Sequence, residues 1–189
     1  LVFQGSQSVN AYIRETSFNK TLINGDVYNW VTIPQSSNLC DIYSWAFSAE
    51  ELLRQQGVPV DSYQFRVFVM PPVCNYGGFG ELGAGYMTQR SWIFQPDNDR
   101  VYKHELGHNL GVHHANGLVC PNQVNLNYST DCSNVEYGDF TDVMGLSQYQ
   151  FNAPHKIAVG WIPSANIKEA SGSGTYSIYN SETSTTQPQ

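Results

Sequence analysis

His104-Glu105-Leu106-Gly107-His108-Asn109-Leu110-Gly111-Val112-His113-His114 spells H-E-x-x-H-x-x-G-x-x-H, and each fixed letter has a chemical reason. His104 and His108 are four apart, one turn apart on the same face of a helix. Two imidazoles so placed can close on one tetrahedral zinc ion at ~2.0–2.1 Å per nitrogen. Glu105 stands at the edge of that face, where a carboxylate reaches a metal-bound water without ligating the metal. Gly111 permits the backbone conformation that ends the helix and turns the chain. The turn brings His114 back as a third ligand and leaves the fourth position to water. A closed structural site more often uses cysteines and four protein ligands, so this spacing predicts a catalytic centre. A bare H-E-x-x-H recurs by chance. Here the added glycine and third histidine argue otherwise, as does economy, with four of the five histidines in this window. His113 falls off the ligand spacing, and His155, outside the motif, is read as structural.

Length and composition narrow the setting. A chain of 189 residues fits one domain, and 41% hydrophobic with 13% aromatic content can build a core. The formal net charge is −7 with nine Lys plus Arg and no basic run, which argues against nucleic acid and anionic membranes as partners. No apolar run approaches the ~20 residues that span a bilayer, so no membrane insertion is expected. Leu1-Val2-Phe3-Gln4-Gly5-Ser6 resembles a protease-site and cloning remnant and is set aside from fold reasoning.

Cys40, Cys74, Cys120 and Cys132 form no CxxC pair, which disfavours a zinc ribbon. An even count suggests two disulfides, with three connectivities open. Cys120–Cys132 would close a short polar loop after the motif and leave Cys40–Cys74. Sequons at Asn19-Lys20-Thr21 and Asn127-Tyr128-Ser129, with scarce lysine, lean toward a secreted, extracellular protein.

Along the chain, Val9 to Arg14 reads as the end of a helix. Thr21 to Ile33 reads as strand broken by a turn at Asn24-Gly25-Asp26. Asp41 to Gln56 has helical spacing stopped by Gly57, and Phe65 to Met70 alternates as a strand. Tyr76 to Gly85 is glycine-rich, read either as a flexible loop or as backbone kept open for ligand pairing. Tyr86 to Phe94 resumes as strand. Pro96 to Asp99 offers N-caps for a metal helix from about Arg100 to Leu110. His114 to Gly138 reads as irregular, and Pro154 to Val159 as a short helix. Ser171 to Gln189 is a Ser/Thr/Gly-rich tail.

With the long motif in hand, the chain resembles the metzincin clan of zinc endopeptidases. Asp139-Phe140-Thr141-Asp142-Val143-Met144-Gly145 then looks like the clan's methionine turn, with Met144 a structural residue that does not bind zinc. Within the clan it is most similar to the gametolysin family (peptidase family M11), over roughly Val9 to Pro163. The likeness rests on Phe68-Val69-Met70-Pro71-Pro72, the Gly-rich stretch ending near Ser91-Trp92, the zinc motif, and Asp139 to Gly145. Asn152-Ala153-Pro154-His155-Lys156 and Gly160-Trp161 add to it. There are departures. Ala115 follows the third histidine where better-known metzincins carry Asp, Glu, Ser or Pro, and Leu146 replaces the extra tyrosine ligand of astacin-like enzymes.

The resemblance implies an α+β fold, with a twisted mixed sheet and helices in an N-terminal lobe of about 7–114. A small irregular C-terminal lobe of about 115–170 would follow, with the active-site cleft between. Residues 7–189 would form a single, monomeric catalytic domain. His104, His108 and His114 would hold one Zn²⁺, and Glu105 would be the general base in hydrolysis of peptide bonds of extracellular or cell-surface proteins and glycoproteins. Gly83, Ala84, Gly85 and Tyr86, opening a stretch to Phe94, are the candidate sheet edge for pairing an extended substrate. Ca²⁺ has carboxylates available in the Asp/Asn-rich loops, but Asp97 and Asp99 are more economically helix-start residues. Two rivals stand beside this reading: a catalytically silent zinc-containing adhesion module, which has no need of Glu105, and a hydrolase of non-peptide amides.

Overall fold

The computed structural model describes residues 2–83, 88–121 and 132–188. It forms two compact units, residues 1–11 with 23–111 and residues 12–22 with 112–189. Helices and small sheets mix in an α+β arrangement. Helix α1 (Val9–Thr16) begins in the first unit and ends in the second.

The first unit is organised by three strands: β1 (Phe65–Val69), β2 (Gly78–Gly80) and β3 (Gln89–Ile93). Their order is β1-β3-β2, with β3 parallel to β1 and antiparallel to β2. Side chains alternate between faces with period two, and the register therefore sets Phe68, Trp92 and Phe79 side by side on one face. Phe68 stacks on Trp92 at 5.8 Å, and Tyr43 of helix α2 (Ile42–Gln55) meets Trp92 edge-on at 5.2 Å. Ile42, Trp45, Ala46 and Phe94 complete this core. Helix α2 starts where Asp41 accepts the Ser44 amide, and Gly57 follows it at φ +82°. The Cys40–Cys74 disulfide ties the start of α2 to the loop after β1.

Glu50 of α2 is 1% exposed yet charged, because the same sheet face carries two arginines. Arg90 Nε donates to it at 2.7 Å and Arg66 lies at 3.0 Å. Burial pushes the Glu50 carboxyl up, but the Arg90 and Arg66 hydrogen bonds and charges outweigh it and hold the group below its usual range.

In the second unit, α4 (Ala153–Ala158) is capped by Asn152, which accepts from the His155 amide. Ile13, Val143, Met144, Phe151, Trp161 and Ile162 are buried. Trp161 Nε1 donates to Thr21 Oγ1 at 2.8 Å, and Tyr12 donates to the Tyr149 carbonyl at 2.9 Å. Lys156 is fully buried and donates to Gln150 Oε1 and the Ser181 carbonyl.

Several expectations need correction. Residues 21–33 form no strand. Val27 and Trp30 there are 83% and 77% exposed, and although Ile33 packs against the core of the first unit, no described strand pairs with the stretch. The glycine-rich run is in part β2. Strand β3 occupies the middle of the sheet, so Gln89–Ile93 of the candidate stretch is no sheet edge, and among the described residues β2 is the terminal strand on that side. The segment after His114 is less irregular than expected. It holds an antiparallel ribbon of β4 (Gly117–Val119) and β5 (Ser133–Val135), closed by the Cys120–Cys132 disulfide. The sequon at Asn127 lies outside the described residues.

Candidate metal centre

Helix α3 (Asp99–Asn109) carries the motif and is buried almost throughout, from Val101 to Gly107 and at Asn109, although its sequence is polar. Apolar burial alone does not hold such a helix. Glycines and one asparagine do much of it. On the sheet face opposite Trp92, Gly78 and Gly80 let the helix approach closely. A Cβ on Gly78 would lie 2.6 Å from both Glu105 Oε1 and Val101 Cγ1, and one on Gly80 would lie 2.6 Å from the Glu105 carbonyl oxygen. Asn109 is fully buried, and its amide donates to the Glu81 and Arg90 carbonyls at 2.9 and 3.1 Å. Ser91 Oγ donates to Asn109 Oδ1 at 2.7 Å, and the Gly83 amide donates to the His108 carbonyl at 2.9 Å. The C-terminal end of α3 is thus tied to β3 and to the residues just after β2.

His104 and His108 lie ring to ring at 4.9 Å with planes at 85°. Gly111 takes φ +96°, a left-handed conformation that ends the helix with little steric penalty for glycine. Ligand nitrogens of His104, His108 and His114 then fall within 4.8 Å of one another. His113 is exposed. Asn98 is the N-cap by position but makes no capping bond with its side chain.

Glu105 is 5% exposed. Burial pushes its carboxyl up to about 8, with Arg100 pulling the other way. Without a bound metal ion, and despite Arg100, burial favours the protonated form at neutral pH.

His114 is partly buried. Its Nδ1 lies 2.7 Å from Glu136 Oε1, and the Tyr137 ring flanks the imidazole at a centroid distance of 3.9 Å. Next in sequence, the Ala115 amide donates to the Met144 carbonyl at 3.0 Å, and the Ala115 carbonyl accepts from the Asp139 amide at 3.1 Å. Met144 is fully buried. Asp142 fixes its turn by accepting from the amides of Met144 and Asn152 and from His155 Nδ1, at 2.6, 2.7 and 2.7 Å. Gly145 cannot be replaced there, since a Cβ would lie 1.9 Å from the Asp139 carbonyl oxygen. His155, read as structural, is a member of this network.

Of the candidate substrate-binding residues, Gly83 is described and packs against Gln89. Ala84, Gly85 and Tyr86 lie outside the described residues. Sequence reasoning passed over Gly78, Gly80, Asn109, Glu136 and Tyr137. The two glycines had a signal, a G-x-G pair placing both on one strand face. Glu136 had none, being 22 residues from its partner.

The gametolysin peptidase M11 family model matches residues 3–187. The chain belongs to the gametolysin peptidase M11 family. The match extends the stretch of resemblance, Val9 to Pro163, in both directions. No curated protein and no solved structure matches the chain. Membership makes this a peptidase-family protein, whose substrates are proteins or peptides. With the three-histidine group it points to a metal ion as cofactor. No helix among the described residues is long and apolar enough to cross a membrane. The two disulfides are compatible with an extracellular protein.

Proposed function

We propose that this chain is a secreted zinc endopeptidase of the metzincin type that hydrolyses peptide bonds of extracellular or cell-surface proteins and glycoproteins. The observation that carries the reading is the gathering of three imidazoles, two of them from the helix that also bears the buried Glu105. Three neutral nitrogen donors and no thiolate suit Zn²⁺, whereas Ca²⁺ and Mg²⁺ select oxygen donors. Glu136 engages Nδ1 of His114, and Nε2 is the nitrogen proposed to ligate the ion.

His104, His108 and His114 would hold the metal. Bound zinc supplies Lewis acidity that polarises a carbonyl and favours loss of a proton from water near neutral pH. Glu105 takes the proton from the attacking water and delivers it to the leaving amine, a contribution typically worth ~10²–10⁴-fold in rate. A dication nearby favours the carboxylate form that the first transfer needs, against the burial that opposes it. The low exposure of Glu105 keeps competing water from that carboxylate. Met144, held by Asp142, shapes the turn bonded to Ala115 and binds no metal. Gly83, Ala84, Gly85 and Tyr86, following the terminal strand β2, are the proposed segment for pairing an extended peptide.

The test is cleavage of denatured casein, with and without a zinc chelator, beside the Glu105→Gln variant. Cleavage abolished by both supports the reading. Cleavage that survives either one refutes it, and a silent protein with stoichiometric zinc favours a non-catalytic binding module.

A further inference from the structure

The β4–β5 ribbon buries almost nothing of its own. Leu118, Val119 and Val135 are 53%, 58% and 42% exposed, and isolated two-stranded ribbons are marginal in water. Its register is nevertheless closely specified. Gly117 pairs with Val135 and Val119 with Ser133, and the Cys120–Cys132 disulfide closes the next position outward. At the inner end Gly117 and Gly138 pack back to back, so that a Cβ on either would lie 2.7 Å from the other's backbone. The Gly138 amide donates to the Val135 carbonyl, Tyr137 takes φ +60°, and its amide donates to Asn116 Oδ1 at 3.2 Å. What these constraints deliver is Glu136 Oε1 at 2.7 Å from His114 Nδ1, with the Tyr137 ring against the same imidazole.

We infer that Glu136 is a positioning residue for the metal centre, and that the disulfide-closed ribbon exists to hold it on His114. The inference rests on the reading of the three histidines as a metal site. Glu136 accepts the Nδ1 proton, which fixes the tautomer that presents Nε2 and holds the ring in one orientation. Tyr137 blocks rotation of the ring from one side. Because the Glu136 side chain is 67% exposed, its contribution is orientation of His114 and not the stability of the fold.

The experiment is zinc affinity by competition with a chromophoric chelator, together with the melting temperature of the metal-free protein. It compares wild type with Glu136→Ala, Glu136→Gln and the double variant Cys120→Ser/Cys132→Ser. Glu136→Ala is expected to weaken zinc binding ~10–100-fold with the metal-free melting temperature unchanged. Glu136→Gln, whose amide oxygen can accept the same proton, recovers most of the affinity. The disulfide-free variant weakens binding in the same direction, and adding Glu136→Ala to it causes little further loss. Wild type that binds one zinc ion with Glu136→Ala binding it equally well overturns the inference while leaving the metal site intact. Glu136→Ala that loses melting temperature along with affinity reduces the residue to a structural one and overturns it too. Wild type that binds no zinc refutes the metal site itself.

Discussion

Replacing Gly78 by alanine adds one methyl group at the place where the sheet meets the candidate general base. The backbone accepts alanine there, since Gly78 is not among the glycines at positive φ. The new Cβ would lie 2.6 Å from Glu105 Oε1, 2.6 Å from Val101 Cγ1 and 2.8 Å from Glu105 Cγ. Comfortable carbon contacts begin near 3.5 Å, so the overlap is on the order of 1 Å. The carboxylate is the end of a flexible side chain and yields first, while Val101, 6% exposed on the helix, yields less easily. Overpacking of this kind costs about 1–3 kcal/mol, offset by about 0.4–1 kcal/mol from a less flexible unfolded chain. The net loss of stability is therefore small, roughly 0–2.6 kcal/mol. The functional loss is larger, because a displacement of about 1 Å at a reacting group can cost ~10²-fold in rate. The assay is kcat/KM on a fluorogenic peptide, with zinc content and melting temperature measured on the same samples. Gly172→Ala, where a Cβ meets nothing within 4 Å, serves as the control. Gly80→Ala should behave differently, since its Cβ meets the Glu105 carbonyl oxygen and His108 Cβ at 2.6 and 3.0 Å and must move the helix itself. Gly78→Ala with wild-type kcat/KM and full zinc would refute the reasoning.

Other perturbations test other parts of the structure. Glu50→Ala removes the partner shared by Arg66 and Arg90, 10% and 17% exposed, and leaves them Asp61 at 3.0 Å and Glu81 at 3.6 Å. Stability should fall by about 1–3 kcal/mol, a melting temperature lower by roughly 2–12 °C, as calorimetry would show. Since the Glu50 carboxyl is held below its usual range in the folded chain, its contribution is complete above the unfolded value of 4.5 and is lost as pH falls through the folded value. Glu105 runs the other way in the metal-free protein. Its folded value of about 8 exceeds the unfolded 4.5, so the native state binds the extra proton and stability falls as pH rises between them. Metal-free Glu105→Gln should therefore be more stable than metal-free wild type at pH 9, by on the order of a few kcal/mol, in urea titrations. Asp142→Ala orphans two backbone amides and a histidine ring. A loss of about 1–3 kcal/mol per buried donor is expected, with partial recovery in Asp142→Asn, which keeps an oxygen for the Met144 amide.

The sequence disclosed what is local. Helix α3 and its three histidines were legible because helical spacing and a glycine stop act within a dozen residues. Helix α2, strand β1 and helix α4 were legible for the same reason. Gly78-Phe79-Gly80 reads as a loop by propensity, and it becomes a strand only because α3 lies against its glycine face and Trp92 against Phe79. Residues 21–33 erred in the opposite direction, since apolar composition says nothing about whether a partner strand exists. Glu136 was invisible for a third reason. Its place on His114 depends on ribbon register and a disulfide, information spread over 22 residues with no periodic signal. His155 was read as structural, and its bond to Asp142 could not be read before the fold brought them together.

The failed strand at 21–33 has a meaning of its own in a chain of this family. Peptidases accept backbone that is free of regular hydrogen bonding, and here such backbone displays Val27 and Trp30 to solvent. If the chain has the activity proposed above, this segment would be bait for neighbouring molecules. Self-digestion beginning there would need no prior unfolding and would grow with the square of concentration. Shelf life would then be governed by how crowded the molecules are, and only secondarily by how stably each one is folded.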